Sequence, residues 1–274
     1  MFRRSSRAMV CPSCGRLTRT DARSCLVCGR RHPGLWGLAG PLATIARRGN
    51  FTNAVTGACI ALYLLSLLID PAGLVRPRGP FDVFSPTPAA LWALGATGSI
   101  PWQLGSWWTL LTAIYLHGNV LHILFNLLWV RQLGPGVEQL YGAARLVSIF
   151  TVSGVAGFVV SNLVGVPFTV GASGSIFGLL GALVAYGHRR GGAFGSLILR
   201  QYGPVALILF VFGFFMSGVN NFAHGGGFAG GLVSGLVFSL AERRAETAFD
   251  RALAAAQIGL TVLAFGLAVR AALA

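Results

Sequence analysis

The chain has 274 residues, 54% of them hydrophobic and 10% charged, with a mean hydropathy of +0.70. That balance excludes an ordinary soluble domain and a disordered one, and it fits a chain embedded in a bilayer. Its 21 basic residues, all arginine, outnumber 7 acidic ones; arginines at the ends of apolar helices set topology, so a lipid bilayer rather than nucleic acid is the expected partner.

Residues 1–33 are polar and carry Cys11-Pro12-Ser13-Cys14-Gly15 and Cys25-Leu26-Val27-Cys28-Gly29. Four thiolates complete a tetrahedral shell around Zn²⁺, and each glycine permits the turn that aims both sulfurs of a knuckle at one ion. Two disulfides are the alternative, and they need an oxidising compartment. His32 is a further possible ligand or a solvated side chain. A segment this short has little core, so structural zinc would supply most of its folding free energy. It resembles the small zinc ribbons attached to many bacterial membrane proteins. Residues 34–50, with Gly34, Gly40, Pro41 and Arg47-Arg48, read as a linker.

A first apolar helix is expected over about 52–69, long enough to cross a hydrocarbon core of roughly 30 Å. Cys59 within it reads as a packing residue. The absence of an earlier apolar run argues against a cleavable signal peptide. A long proline-containing connection, 70–106, follows; loops of that length are more often functional than idle. Trp107 and Trp108 suit a membrane-surface aromatic belt. The second helix is expected over 110–133, with His117, His122 and Asn126 inside it, and residues 131–145 as a glycine-containing turn. His122 and Asn126, four apart, share one face. Polar groups at membrane depth are expensive and mark functional candidates. Further spans are expected over about 146–164, 173–190, 204–218, 223–240 and 253–269, seven in all. His188 reads as an interfacial residue at a helix end.

Seven spans allow two orientations, which the arginines separate. With the N-terminus cytoplasmic, eighteen arginines lie inside and three outside, or eight against three without residues 1–50. This is a strong positive-inside bias. It places the cysteine knuckles in a reducing compartment, and it brings Ser173 and His224 within about a turn of the outer surface. His122 and Asn126 fall one to two turns below that surface on a neighbouring helix. Gly174 and Gly178 on one helix, with Gly227, Gly231 and Gly235 on another, recur every four residues, a spacing that lets helix backbones approach closely. Close approach is what a hydroxyl–imidazole hydrogen bond of about 3 Å requires. Ser173 then reads as a nucleophile and His224 as its base. No acidic residue lies beside His224 on the outer layer, so a dyad is inferred. His122, Asn126 and the Ser173 N–H at a helix N-terminus are candidate oxyanion donors.

Gly171-Ala172-Ser173-Gly174, Leu121-His122-Ile123-Leu124-Phe125-Asn126, and Ala223-His224 followed by Gly227 and Gly231 together resemble a rhomboid intramembrane serine protease over about residues 50–245. The resemblance implies an all-α, polytopic six-helix core, with Ser173 as nucleophile, His224 as base, and His122 and Asn126 at the oxyanion site. Phe177 matches the aromatic position that packs on the catalytic histidine, and Glu138 the structural turn after helix two. Residues 246–274 would be a seventh transmembrane helix added to the core. The family's usual Trp-Arg pair stands here as Trp108-Thr109, so the arginine's anchor is absent or replaced. The implied activity is cleavage of single-pass transmembrane proteins near the outer face of the cell membrane, without a catalytic cofactor. The alternative is a catalytically silent relative that binds transmembrane helices. The cysteine module, on the opposite side, is expected to bind a cytoplasmic partner or to stabilise the N-terminus.

Overall fold

The structure, a computed structural model, describes residues 8–11, 16–19, 22–29, 31, 50–72, 84–216, 218–239 and 246–273. Cys14, His32 and residues 34–49 lie outside the described residues. Two compact units result, residues 1–53 and 54–274.

In the first unit, strands β1 (Ala8–Val10) and β2 (Leu17–Arg19) pair antiparallel with Val10 opposite Leu17. Cys11 follows β1 directly, and an isolated bridge joins Ser24 to Arg31 around the second knuckle.

The rest of the described chain is helical. Its helices are α1 (Asn50–Ile69), α2 (Pro88–Ala93), α3 (Ser99–Gln103), α4 (Thr109–Thr112), α5 (Val120–Tyr141), α6 (Ala143–Leu163), α7 (Ser173–Arg190), α8 (Gly192–Phe212), α9 (Asn221–Ser239) and α10 (Ala248–Leu273). Among the described residues, four helices (α1, α6, α8 and α10) are long and apolar enough to cross a membrane, or five spans if α4 and its 3₁₀ extension join α5. Helices α7 and α9 fall outside that set, α7 because its eighteen residues include His188-Arg189-Arg190 and α9 because it is rich in glycine, which contributes little hydropathy. Instead α7 sits at the centre, with Leu179, Leu180 and Ala182 fully buried and α6, α8 and α9 around it.

Three expected boundaries are corrected. The second helix does not run through 110–133: α4 continues as a 3₁₀ turn (Ala113–Tyr115), the chain becomes extended at Leu116, and α5 departs at 92°. The break has a cap chemistry, since the Asn119 side chain accepts the His122 N–H at 2.7 Å. His117 therefore lies in the bend rather than in a helix, fully buried beside His122 with ring centroids 5.1 Å apart. Residues 131–145 are not a turn either, for α5 runs on through Gly134, Pro135 and Gly136 and stops only at Gly142, where φ is +99°. Finally, α8 begins at Gly192 rather than at Pro204, which sits inside it. Prolines in such helices are tolerated where neighbours satisfy the freed backbone groups.

The connection 84–106 is ordered by hydroxyls where an arginine was expected. Thr109 is buried, and its Oγ1 donates to Ser106 O at 2.7 Å and lies 3.0 Å from Thr97 Oγ1. Asn162 of α6 donates to Thr97 Oγ1 at 3.4 Å, and Thr97 exchanges backbone hydrogen bonds with Thr169. A neutral network thus ties this loop to the segment leading to Ser173.

Helix α10 packs on α6 and α4, with Phe265 meeting Tyr115 edge-on at 6.1 Å. The residues leading into it and its first turn also close a polar cluster: Glu246 accepts the Ala144 N–H at 2.6 Å, a carboxylate at the start of α6, and Asp250 pairs with buried Arg145 at 3.0 Å. Removing one partner of a buried pair leaves an uncompensated charge. Asp250→Ala is therefore expected to lower the unfolding midpoint in detergent by on the order of 5 °C, read by a thermal scan; an unchanged midpoint would show that Arg145 is satisfied without it.

Candidate active site

Ser173 opens α7 at its first position, preceded by Ala172 and by Gly171 at φ +128°. That φ favours glycine, and the space does too, because a Cβ at Gly171 would lie 2.6 Å from His122 Nε2. The Gly171 N–H donates to Ala113 O at 2.9 Å, which fixes the approach to Ser173 against the 3₁₀ turn.

His224 lies in the first turn of α9, 7% exposed, and stacks on Phe177 with centroids 4.3 Å apart and planes 20° from parallel. Phe177 is four residues after Ser173 on α7, so the ring that carries the histidine is one turn from the serine. Glycines make the approach possible. A Cβ at Gly227 would meet the backbone of Gly174, one at Gly231 the backbone of Gly178, and one at Gly174 would lie 3.3 Å from Ala223 O. Helices α7 and α9 thus touch backbone to backbone. Among the described residues no hydrogen bond joins Ser173 to His224.

His122 presents a definite donor. Its Nδ1 accepts the Gly118 N–H at 3.3 Å, so the neutral ring carries its proton on Nε2, the atom that faces Gly171. Asn126 is 5% exposed and its Nδ2 donates to His122 O at 2.8 Å, with Oδ1 unpartnered among the described residues. The amide orientation follows from that bond, since an oxygen there would face another oxygen, and one Nδ2 hydrogen remains to be used.

Asn221, which falls between the spans expected over 204–218 and 223–240, is a neighbour of the candidate base that the sequence reading missed. Asn221 Oδ1 lies 3.2 Å from His224 Nδ1. The spacing of three residues at a helix start was the available signal. Glu138 lies on α5, half-buried, with Gly142 N–H bonded to its carbonyl at 2.8 Å.

In the first unit, the Cys11, Cys25 and Cys28 sulfurs lie within 4.8 Å of one another, and those of Cys11 and Cys28 are 3.7 Å apart. Two sulfurs bound at about 2.3 Å to one tetrahedral zinc lie about 3.8 Å apart. Hydrogen bonds from the backbone N–H groups of Cys28 and Val27 hold the Cys25 thiol below the usual range, which favours the thiolate a metal needs. The donor set therefore fits zinc.

Residues 104–241 match the family model described as Rhomboid domain. The chain is 36% identical over 144 residues to the Rhomboid protease GluP of Bacillus subtilis, covering 50% of this chain and 27% of that protein. It is 33% identical over 151 residues to the Rhomboid protease GlpG of Salmonella choleraesuis, covering 54% and 48%. To RHOMBOID-like protein 1 of Arabidopsis thaliana it is 30% identical over 196 residues, covering 64% and 49%. The match thus spans half or less of each relative's length. A family match over half the chain, on the residues that bring α5, α7 and α9 together, places this protein in the rhomboid family.

Proposed function

We propose that this protein is an intramembrane serine endopeptidase that cleaves transmembrane substrates through Ser173 and His224. The observation that carries the reading is the backbone contact of α7 with α9, which sets His224 on Phe177 one turn from Ser173. Ser173 Oγ attacks the scissile carbonyl carbon while its proton passes to His224 Nε2. The C–N bond then breaks as His224 returns that proton to the leaving amine, and water attacks the acyl-enzyme with His224 again as base. His122 Nε2–H, the spare Asn126 Nδ2–H and the Ser173 N–H are the donors available to the developing oxyanion. Gly171, Gly174, Gly227 and Gly231 act by permitting these approaches. No cofactor takes part in this scheme. The arginine distribution supports an N-terminus in the cytoplasm and a site opening to the outer side of the cell membrane.

The test is labelling by a fluorophosphonate probe together with cleavage of a transmembrane reporter in reconstituted vesicles, both lost in Ser173→Ala. A wild-type protein that neither labels nor cuts would favour the alternative, a silent rhomboid-like protein that binds transmembrane helices. The two readings share the fold and differ only at the serine.

The N-terminal module is read as a zinc ribbon held by Cys11, Cys14, Cys25 and Cys28, with a cytoplasmic partner or a substrate tail as its target. Metal analysis of the purified protein under reducing conditions is expected to find about one zinc per chain, as four thiolates fill one tetrahedral shell. Cys25→Ser should release it without loss of reporter cleavage, because no cysteine of the module takes part in the proposed Ser173–His224 chemistry. A metal-free wild type would overturn the ribbon.

A further inference from the structure

We propose that Asn221 is a positioning residue that fixes the tautomer and rotation of His224, a role that rests on the Ser173–His224 reading above. Asn221 Oδ1 lies 3.2 Å from His224 Nδ1, and among the described residues this is the only hydrogen-bond partner of its side chain. With the carboxamide assigned this way round its oxygen can only accept, so in this arrangement Nδ1 carries the ring proton and Nε2 keeps the lone pair that takes the serine proton. With the opposite tautomer, Nε2 would already be protonated and could not act as base.

The neighbouring asparagine does the structural work, which separates the two roles. Asn220 Oδ1 accepts the Ala223 N–H at 3.1 Å and caps α9, while Asn220 Nδ2 donates to Ser161 Oγ at 2.6 Å and Thr169 Oγ1 at 3.1 Å. Removing the Asn221 carboxamide leaves that cap and those bonds in place. The Asn221 carboxamide is in turn confined by α8: a Cβ at Gly213 would lie 3.1 Å from Asn221 Cγ and overlap Oδ1. Phe177 covers one face of the imidazole and Asn221 holds its Nδ1 edge, so the ring keeps neither free rotation nor a free choice of tautomer. A neutral amide orients the base without the desolvation of a carboxylate, which is costly at membrane depth.

The experiment measures kcat and KM on a transmembrane reporter for the full-length protein in vesicles, beside thermal unfolding. Asn221→Leu is expected to lower kcat about tenfold, the scale of one hydrogen bond, with KM and the unfolding midpoint unchanged. Asn221→Asp keeps an acceptor in the same place and should recover most of that loss. Gly213→Ala, at the C-cap of α8, should lower kcat by displacing the carboxamide and should add nothing to Asn221→Leu in the double variant. Wild-type cleavage with an unchanged kcat in Asn221→Leu, or equal losses in the Leu and Asp variants, would overturn the positioning role alone. A wild-type rate no higher than that of Ser173→Ala would overturn the dyad and this role with it.

Discussion

Ser173→Ala and His224→Ala will each reduce cleavage of a transmembrane reporter by on the order of 10⁴- to 10⁶-fold, and the double variant will be no slower than either single one. The reason is that nucleophile and base act as a unit: without Nε2 to take the proton, the hydroxyl is a poor nucleophile, and without the hydroxyl the imidazole has nothing to activate. Ser173 is half-buried and its hydroxyl has no hydrogen-bond partner among the described residues, so alanine there leaves no buried group stranded. His224→Ala removes a ring stacked on Phe177 and therefore opens a small void, which makes its unfolding midpoint the more sensitive of the two. The fluorophosphonate probe separates the roles further. Ser173→Ala should not label at all, whereas His224→Ala should label slowly. Near wild-type turnover in either variant would remove that residue from the mechanism.

The membrane character and the meeting of the helices that carry Ser173 and His224 were legible in the sequence because each leaves a local signature: apolar runs, and glycines recurring every four residues. The glycine spacing carried further than secondary structure usually does, since residues four apart predicted which faces of α7 and α9 would meet. What failed was placement that depends on caps and neighbours. His117 was assigned to a helix because the apolar pattern runs on through it, yet the Asn119 cap and the bond between His122 and Gly118 break the chain there. Pro204 was taken for a helix start, although packing carries α8 through it. Thr109 was legible only as a missing arginine; its bonds to Ser106 and Thr97 depend on a loop fold that no local pattern specifies. Asn221 escaped because an asparagine beside a glycine-rich helix reads as a turn until the ring beside it is seen.

Gly231→Leu is expected to lower reporter cleavage by at least about a hundredfold although Gly231 touches no reacting atom, since a displacement of about 1 Å at the chemistry can cost that much. Gly231 lies seven residues after His224 on α9, and a Cβ there would overlap the carbonyl oxygen, carbonyl carbon and Cα of Gly178. These are backbone atoms of a buried helix, so nothing flexible can yield; α9 must move away from α7 instead. Gly227, whose Cβ would meet the backbone of Gly174, transmits the same separation one turn nearer the histidine. The stacking of His224 on Phe177 is then lost, because the two rings belong to the two helices being parted. Gly231→Ala adds only the offending Cβ and should show a smaller loss in the same direction. Gly259→Leu on α10, where a Cβ meets nothing within 4 Å, is the matched control and should keep full activity. Measured together with fluorophosphonate labelling, Gly231→Leu should lose cleavage and labelling in parallel, since both require the base at the serine. Cleavage within threefold of wild type in Gly231→Leu would show that this helix face does not set the geometry of the dyad.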